Sequence, residues 1–297
     1  MIQARRLGHA TFLTPDLERD VAYYQQTVGL CLAARGDGRA FLATACGQLA
    51  IALAQGAQAG CTALAFEIAP EEDCAEIVRR LGRQGIAAEL CHDAAPGVPE
   101  AVAFADPKGT RIELFPRWRF VEGNQAAVVG AGPNKLGHVA FLVTDIAPLE
   151  AFYSQVLGFR MADWIEDWFL FMRCGRDHHT VNFLRGRSAR VHHLAFELRD
   201  SAHLIRACDL LARDKFEILW GPTRQGPGHN LAVYHRNPAG HIVEFFTDID
   251  VMVDEALGYY EPRPWHRDRP QRPKVWDAPT RQTWGLPPSP EFLADTA

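Results

Sequence analysis

Apolar and polar positions along the chain alternate with period two over short runs, and helical stretches interrupt these runs at regular places. In 137–144, GHVAFLVT reads as a strand; Asp145 stands where a helix N-cap belongs, the next pattern runs as a helix to about Val156, and Gly158 stops it. Strand patterns follow near 159–163, 168–173 and 179–184. A second unit opens with HHLAFEL, continues as a helix over 201–213 and closes with strands near 216–219, 230–235 and 241–247. Each unit is βαβββ and leaves its own sheet half covered. Two such units pairing edge to edge form a curved, half-open barrel around a cleft, so the predicted fold class is α+β.

The same pattern occurs earlier in the chain. LGHATFLTPDLERDVAYYQQTVGL (7–30) aligns with LGHVAFLVTDIAPLEAFYSQVLGF (136–159), ALAFEI (63–68) with HLAFEL (193–198), and DPKGTRIELF (106–115) with NPAGHIVEFF (237–246). The offset drifts only from 129 to 131, which is the mark of a duplicated domain. The predicted layout is a first domain over 1–120, a small-residue linker over 121–134 and a second domain over 135–250. The tail, 251–297, is rich in proline, arginine and tryptophan and carries no period. It reads as an extended arm that packs Trp265, Trp276 and Trp284 onto the body or onto a neighbouring subunit.

Length and composition fit this layout. The 297 residues are enough for two cores, and 47% hydrophobic with 23% charged residues is an ordinary globular balance. A net charge of -5 without basic runs offers nothing to nucleic acid or to an anionic membrane, which leaves a small molecule as the expected partner. No apolar run reaches the roughly 18 residues of a membrane span, and the N-terminus has no signal-peptide core, so a cytoplasmic location is expected. The seven cysteines are scattered and never spaced as CxxC, the pattern of reduced core fillers.

Three residues in the second half occupy equivalent strand positions: His138 in GHVAF, His193 in HHLAF and Glu244 in HIVEFF. Two neutral imidazoles and a carboxylate on three strands can hold one face of a six-coordinate metal and leave the other face open. The corresponding residues of the first half are His9, Ala63 and Glu113. Alanine cannot coordinate, so that half is expected to be metal-free, with His9 and Glu113 as relics or hydrogen-bonded structural groups.

The stretches GHVAFLVTD, VHHLAFELRD, GPTRQGPGHNLAVYHRNPAGHIVEFF and HHTVNF resemble the type I extradiol ring-cleaving dioxygenases of the vicinal oxygen chelate superfamily, over essentially 7–250. The resemblance implies two tandem vicinal oxygen chelate domains, a metal-free first domain and a catalytic second one. It also implies iron(II), with manganese(II) as the other metal, held by His138, His193 and Glu244. The implied substrates are a small aromatic diol and dioxygen, the implied assembly a homo-oligomer. Of the pair His192 and His193, the second keeps the strand face of His138. Carried over residue by residue, His179 matches a histidine that hydrogen-bonds dioxygen and shuttles a proton, with His178 as the alternative and the loser a solvated strand residue. Tyr234 matches a tyrosine that binds the diol oxygen.

One position departs from the family. Gln225 stands where a substrate-binding, titrating histidine is usual, and glutamine donates a hydrogen bond without titrating. His229, in the following glycine-rich loop, is the candidate to reach the same space. Trp164, Trp168 and Phe183 are candidate pocket walls. Two other classes fit the pattern less well: a metal-dependent lyase, isomerase or hydrolase on the same fold, and a non-catalytic aromatic-binding protein. The first normally has more carboxylate at the metal, and the second would strand a buried His, His and Glu set without partners.

Overall fold

A computed structural model describes residues 1–122, 129–263 and 265–296. The first half holds strands β1 (Arg6–Thr14), β2 (Cys31–Gly36), β3 (Arg39–Ala43), β4 (Leu49–Gln55), β5 (Gly60–Glu67), β6 (Ala88–Ala95), β7 (Val98–Ala105) and β8 (Arg111–Phe115), with helices α1 (Leu17–Tyr23) and α2 (Cys74–Arg83). The second holds β9 (Lys135–Val143), β10 (Arg160–Ile165), β11 (Phe169–Arg173), β12 (Val181–Arg185), β13 (Arg190–Glu197), β14 (Ile218–Gln225), β15 (Leu231–Arg236) and β16 (Ile242–Thr247), with α3 (Ala147–Gln155) and α4 (Ser201–Arg213). The sheet orders are β2-β3-β4-β1-β5-β8-β7-β6 and β10-β11-β12-β9-β13-β16-β15-β14, the same permutation twice. The repeat read from the sequence is a repeat of topology, and each half is two βαβββ units joined through β1 and β5 or β9 and β13. Of the linker expected at 121–134, residues 123–128 lie outside the described residues.

Local chemistry explains the helix starts. Asp16, Asp73 and Asp200 each accept a backbone N–H of the first turn of α1, α2 and α4, and Asp145 accepts from Ala147 N at 3.1 Å ahead of α3. Gly158, at φ 69°, ends the α3 turn as expected. The glycines of the two LGH motifs have a different reason. A Cβ on Gly8 would lie 2.5 Å from the Phe115 ring and one on Gly137 2.4 Å from the Phe246 ring, so both motifs let an aromatic ring rest on bare backbone.

The two halves share one core and meet about an approximate twofold relation. Phe66 packs edge-on to Phe159, and Tyr24 to Phe196. Tyr153 donates to Asp106 at 3.1 Å from one side, and Asn237 donates to Tyr24 at 3.5 Å from the other. Tyr23 meets His235 at 2.6 Å where the related contact is Phe152 on Phe104. Burial pushes the Tyr23 phenol well up, so its O–H donates and the His235 Nε2 accepts.

The tail departs from expectation. It contributes β17 (Met252–Asp254), β18 (Tyr259–Tyr260), β19 (Val275–Trp276), β20 (Gln282–Gly285) and helix α5 (Pro290–Asp295). Strand β19 adds in parallel to β10 and β20 adds to β14, so the second sheet has ten strands with the tail on both edges. Pairing with β15 and with the tail strand β20 carries β14 to Gln225, beyond the 216–219 read from the local pattern. Trp276 is fixed by Asp163, but Trp265 and Trp284 remain 47% and 53% exposed, contrary to the expected cover, because backbone pairing rather than indole burial seats the tail. No helix among the described residues is long and apolar enough to cross a membrane.

Burial lowers His235 to about 3 and His241 to about 4, and with nearby Arg39 and Arg6 it lowers His9 to about 4. In the unfolded chain these rings take protons near 6.5, so between roughly pH 6.5 and 4 the unfolded state binds more protons and stability falls as pH falls. Denaturant midpoints measured across that window should decline with acid. The double change Tyr23→Phe with His235→Phe, which copies the Phe152–Phe104 contact, should flatten the decline; an unchanged slope would show that this interface histidine does not contribute.

Candidate metal centre

Strands β9, β13 and β16 are neighbours, and their register sets the site. Ala195 pairs with His138 on one side and with Glu244 on the other, and Glu244 pairs onward with Tyr234, which pairs with Trp220. His193 lies two residues before Ala195 on the same face, and the fully buried methyl of Ala195 leaves the space between the ligands open. His138 Nε2 lies 3.0 Å from Glu244 Oε2 and 3.3 Å from His193 Nε2, and His193 Nε2 lies 3.4 Å from Glu244 Oε2. All three side chains are buried.

This donor set fits a divalent metal. Ligands at right angles about 2.1–2.2 Å from one ion stand about 3.0–3.1 Å apart, close to the observed triangle. Burial, with the neighbouring imidazoles His192 and His138, holds His193 well below the ordinary histidine range, so two imidazole nitrogens face each other beside a carboxylate. Among the described residues Glu244 pairs with no lysine or arginine, and a shared cation resolves the repulsion. His193 Nδ1 lies 2.6 Å from His192 Nδ1, and Asn230 donates to Glu244 Oε1 at 2.9 Å, so two of the ligands are oriented from behind. Asn230 was not singled out from the sequence; its place directly after His229 in the GHN turn is the only local signal.

The cavity above the triangle is walled by Trp168, Phe169, Phe171, Leu184 and Trp220, and closed from the tail by Phe292. His179, Tyr234 and Gln225 all line it. The His179 ring stands 4.3 Å from that of His138, and burial, with the nearby imidazoles, lowers its proton affinity well below the ordinary range. Tyr234 is pushed well up by burial and by Glu244, and Gln225 Nε2 donates to its hydroxyl. Asn182, also missed from the sequence, is buried in the wall with neither amide atom hydrogen-bonded.

The geometry corrects the expectations for His229, His178, Phe183 and Trp164. His229 does not reach the space of Gln225: at φ 47° it turns its ring away, its Nδ1 2.7 Å from Asp250 Oδ2, with His266 Nε2 3.3 Å from Asp250 Oδ1. Burial opposes ionisation of Asp250, but the hydrogen bonds of His229 and His266 hold it down at about 2, and this group ties the tail to the loop beside a separate cavity. His178 is not a solvated strand residue: it is fully buried, 3.0 Å from Asp163. Phe183 points to the opposite sheet face, where it packs on Tyr153 and Phe141, and Trp164 sits against the core rather than the cavity. His192 and His193, adjacent on one strand, both line the cavity because the register shifts between Val191 and His193.

The first half has the same register, with Ala65 between His9 and Glu113. Where His193 pairs with Ile242, Ala63 pairs with Arg111, and Arg111 Nε donates to Glu113 at 2.8 Å. A guanidinium thus takes the carboxylate, and His9 stays 3.9 Å from it.

The family model of the Glyoxalase/Bleomycin resistance protein/Dioxygenase superfamily matches residues 6–114 and 135–245, one match per half, and the chain belongs to this superfamily. Within it, the similar curated proteins are extradiol dioxygenases. The manganese-dependent 2,3-dihydroxybiphenyl 1,2-dioxygenase of Geobacillus genomosp. 3 is 23% identical over 94% of this chain and 96% of its own. The 2,2',3-trihydroxybiphenyl dioxygenase of Sphingomonas paucimobilis is 26% identical over 93% and 97%. Among solved structures, the Mn(II)-bound glyoxalase from Novosphingobium aromaticivorans superposes with a TM-score of 0.82 at 20% identity, covering 98% of this chain and 94% of that one, a likeness of fold.

Metal analysis should find one equivalent of iron or manganese per chain, lost in His193→Ala. Asn230→Ala should weaken metal affinity by about 10–100-fold, the usual cost of a lost group behind a ligand. Gly137→Ala should lower metal affinity too, because the displaced Phe246 ring lies 5.1 Å from His138, whereas Gly8→Ala should cost only about 1–3 kcal/mol of stability. Two equivalents in the wild type would point to a second site, for which His229, Asp250 and His266 are the other ligand cluster among the described residues.

Proposed function

We propose that the protein is a metal-dependent extradiol dioxygenase that opens the ring of a small aromatic diol beside its hydroxyls, with both atoms of dioxygen entering the product. His138, His193 and Glu244 are read as holders of iron(II) or manganese(II), and the first half as metal-free. The observation that carries this reading is the buried donor triangle at the floor of an aromatic-walled cavity that also presents an imidazole and a phenol. When bound, the ion supplies a Lewis acid for chelation of the diol and a path for electrons toward dioxygen.

The residues of the chain divide the remaining work. Trp168, Phe169 and Phe171 exclude water and take the flat ring of the substrate. His179, neutral in its buried place, is the group that can accept a substrate proton and return it. Gln225 donates to the Tyr234 oxygen, and the Tyr234 hydrogen, directed at Glu244, is the one a diol oxygen bound beside that carboxylate would take. Gln225 itself holds Tyr234 and moves no proton. Diols that are already acidic, or that carry a further electron-donating hydroxyl, are therefore the favoured substrates, and plain catechol is slow.

Oxygen uptake after anaerobic loading with iron(II) or manganese(II), on a panel of catechols and trihydroxybenzenes, should yield a yellow ring-opened product. His179→Gln and Tyr234→Phe should keep their metal and lose about 10²-fold in turnover. Gln225→His should speed plain catechol and change its pH profile, while His229→Ala leaves that profile unchanged. A metal-loaded protein that consumes no oxygen with any diol sinks the reading.

A further inference from the structure

Behind His179, on the side away from the cavity, runs a buried line of polar groups that ends in the tail. His179 Nδ1 lies 2.9 Å from His178 Nδ1, and His178 Nε2 lies 3.0 Å from Asp163 Oδ2. His178 and Asp163 are both fully buried. Asp163 belongs to β10, where the register against β11 shifts between Met161 and Asp163, and the shift turns its carboxylate inward. The tail closes the line: Lys274 N donates to Asp163 Oδ1 at 2.8 Å and Trp276 Nε1 donates to Asp163 Oδ2 at 2.6 Å. Gly228, at φ 73°, lets its loop come so close that a Cβ there would stand 3.0 Å from His178 Nδ1, and the rings of Tyr260 and Phe171 flank His178 at 5.1 and 5.9 Å.

We infer that Asp163 and His178 are positioning residues that fix His179 in the tautomer with its hydrogen on Nδ1 and an open lone pair on Nε2 toward the cavity. The inference rests on the proposed reaction for its use, but its logic is that of hydrogen-bond direction. A backbone N–H and an indole N–H only donate, so both Asp163 oxygens are held as acceptors; His178 Nε2 approaches Oδ2 at 3.0 Å without hydrogen-bond alignment, and the hydrogen of His178 stands on Nε2 because a bare lone pair there would face the carboxylate. His178 then accepts at Nδ1, and the hydrogen on the 2.9 Å line is that of His179 Nδ1. The remaining nitrogen of His179, Nε2, has no hydrogen-bond partner among the described residues, and the ring lines the cavity. A base that must take a proton from a diol needs that lone pair, and a charge arriving on it meets the Asp163 carboxylate through one intervening ring, the logic of an acid–imidazole pair behind a catalytic group. Since residues 251–297 lie outside the superfamily match, the far anchor of this line is a feature of the tail of this chain.

The test begins with the zinc-substituted wild type, labelled with ¹⁵N, in which long-range proton–nitrogen correlations report which ring nitrogen carries hydrogen; His178→Gln and His179→Gln assign the signals. The expected spectrum has hydrogen on His179 Nδ1 and on His178 Nε2. Hydrogen on His179 Nε2, or on both nitrogens of His178, overturns the inference without reference to activity, so its failure is distinct from failure of the proposed reaction. In Asp163→Asn the amide can donate toward His178 and reverse the line. The hydrogen of His179 should move to Nε2 and kcat should fall by about 10²-fold or more, with KM for the diol and metal content within about threefold. His178→Gln keeps one acceptor toward His179 and one donor toward Asp163, so it should lose less than about tenfold. An Asp163→Asn enzyme within about twofold of wild type, or a His178→Gln loss as deep as that of Asp163→Asn, also overturns it. If Asp163→Asn does not fold, the wild-type spectrum decides.

Discussion

Two imidazole nitrogens and a carboxylate oxygen are held 3.0–3.4 Å apart inside the protein, where either shared ring hydrogens or one metal ion must satisfy them, and this constraint organises the second half of the chain. It requires three adjacent strands in fixed register, a residue no larger than alanine at position 195 in their midst, and supports behind the ligands from His192 and Asn230. The bare backbone of Gly137, on which Phe246 lies 5.1 Å from His138, belongs to the repeat instead, since Gly8 and Phe115 make the same contact. In the first half Arg111 holds Glu113, beside Ala63 at the position equivalent to His193.

The duplication lets the two halves carry different residues at the ligand positions without losing their place. The two sheets share a strand order and pack through paired contacts, Tyr153 on Asp106 and Tyr24 with Asn237, that belong to the repeat rather than to the metal. The halves are no longer equal at this interface, since Tyr23 and His235 stand where Phe152 and Phe104 meet. The polar version exchanges apolar area for a hydrogen bond that only a neutral imidazole can accept.

The tail is the largest addition to the repeated plan. By pairing with both outer edges of the second sheet it protects edge strands that would otherwise be open, and it brings Phe292 over the cavity and Trp276 onto Asp163. The pocket of the second half is thus finished by residues remote in sequence from every ligand. Its composition, rich in proline and arginine, suits a strap that follows a surface rather than a core of its own.

The repeat, the strand and helix order, the helix cap at Asp145 and the candidate ligands His138, His193 and Glu244 were legible in the sequence, because each is written in local periodicity or in a match between halves. Gln225 was recognisable as a departure only through the family resemblance. What pattern could not supply was direction across the fold. His178 looked solvent-facing by strand alternation and is buried, because it precedes β12 and packs under the tail. His229 looked able to replace the missing histidine, yet a left-handed backbone turns it to Asp250 and His266, a contact between a loop and a segment more than twenty residues on. Asn182, Asn230, Arg111 and Asp163 carry no periodic signal, since their roles come from partners on other strands. Period and spacing determine which residues share a strand face; register shifts, a bulge at Asp163 and a tail that returns to both edges determine which of those faces meet.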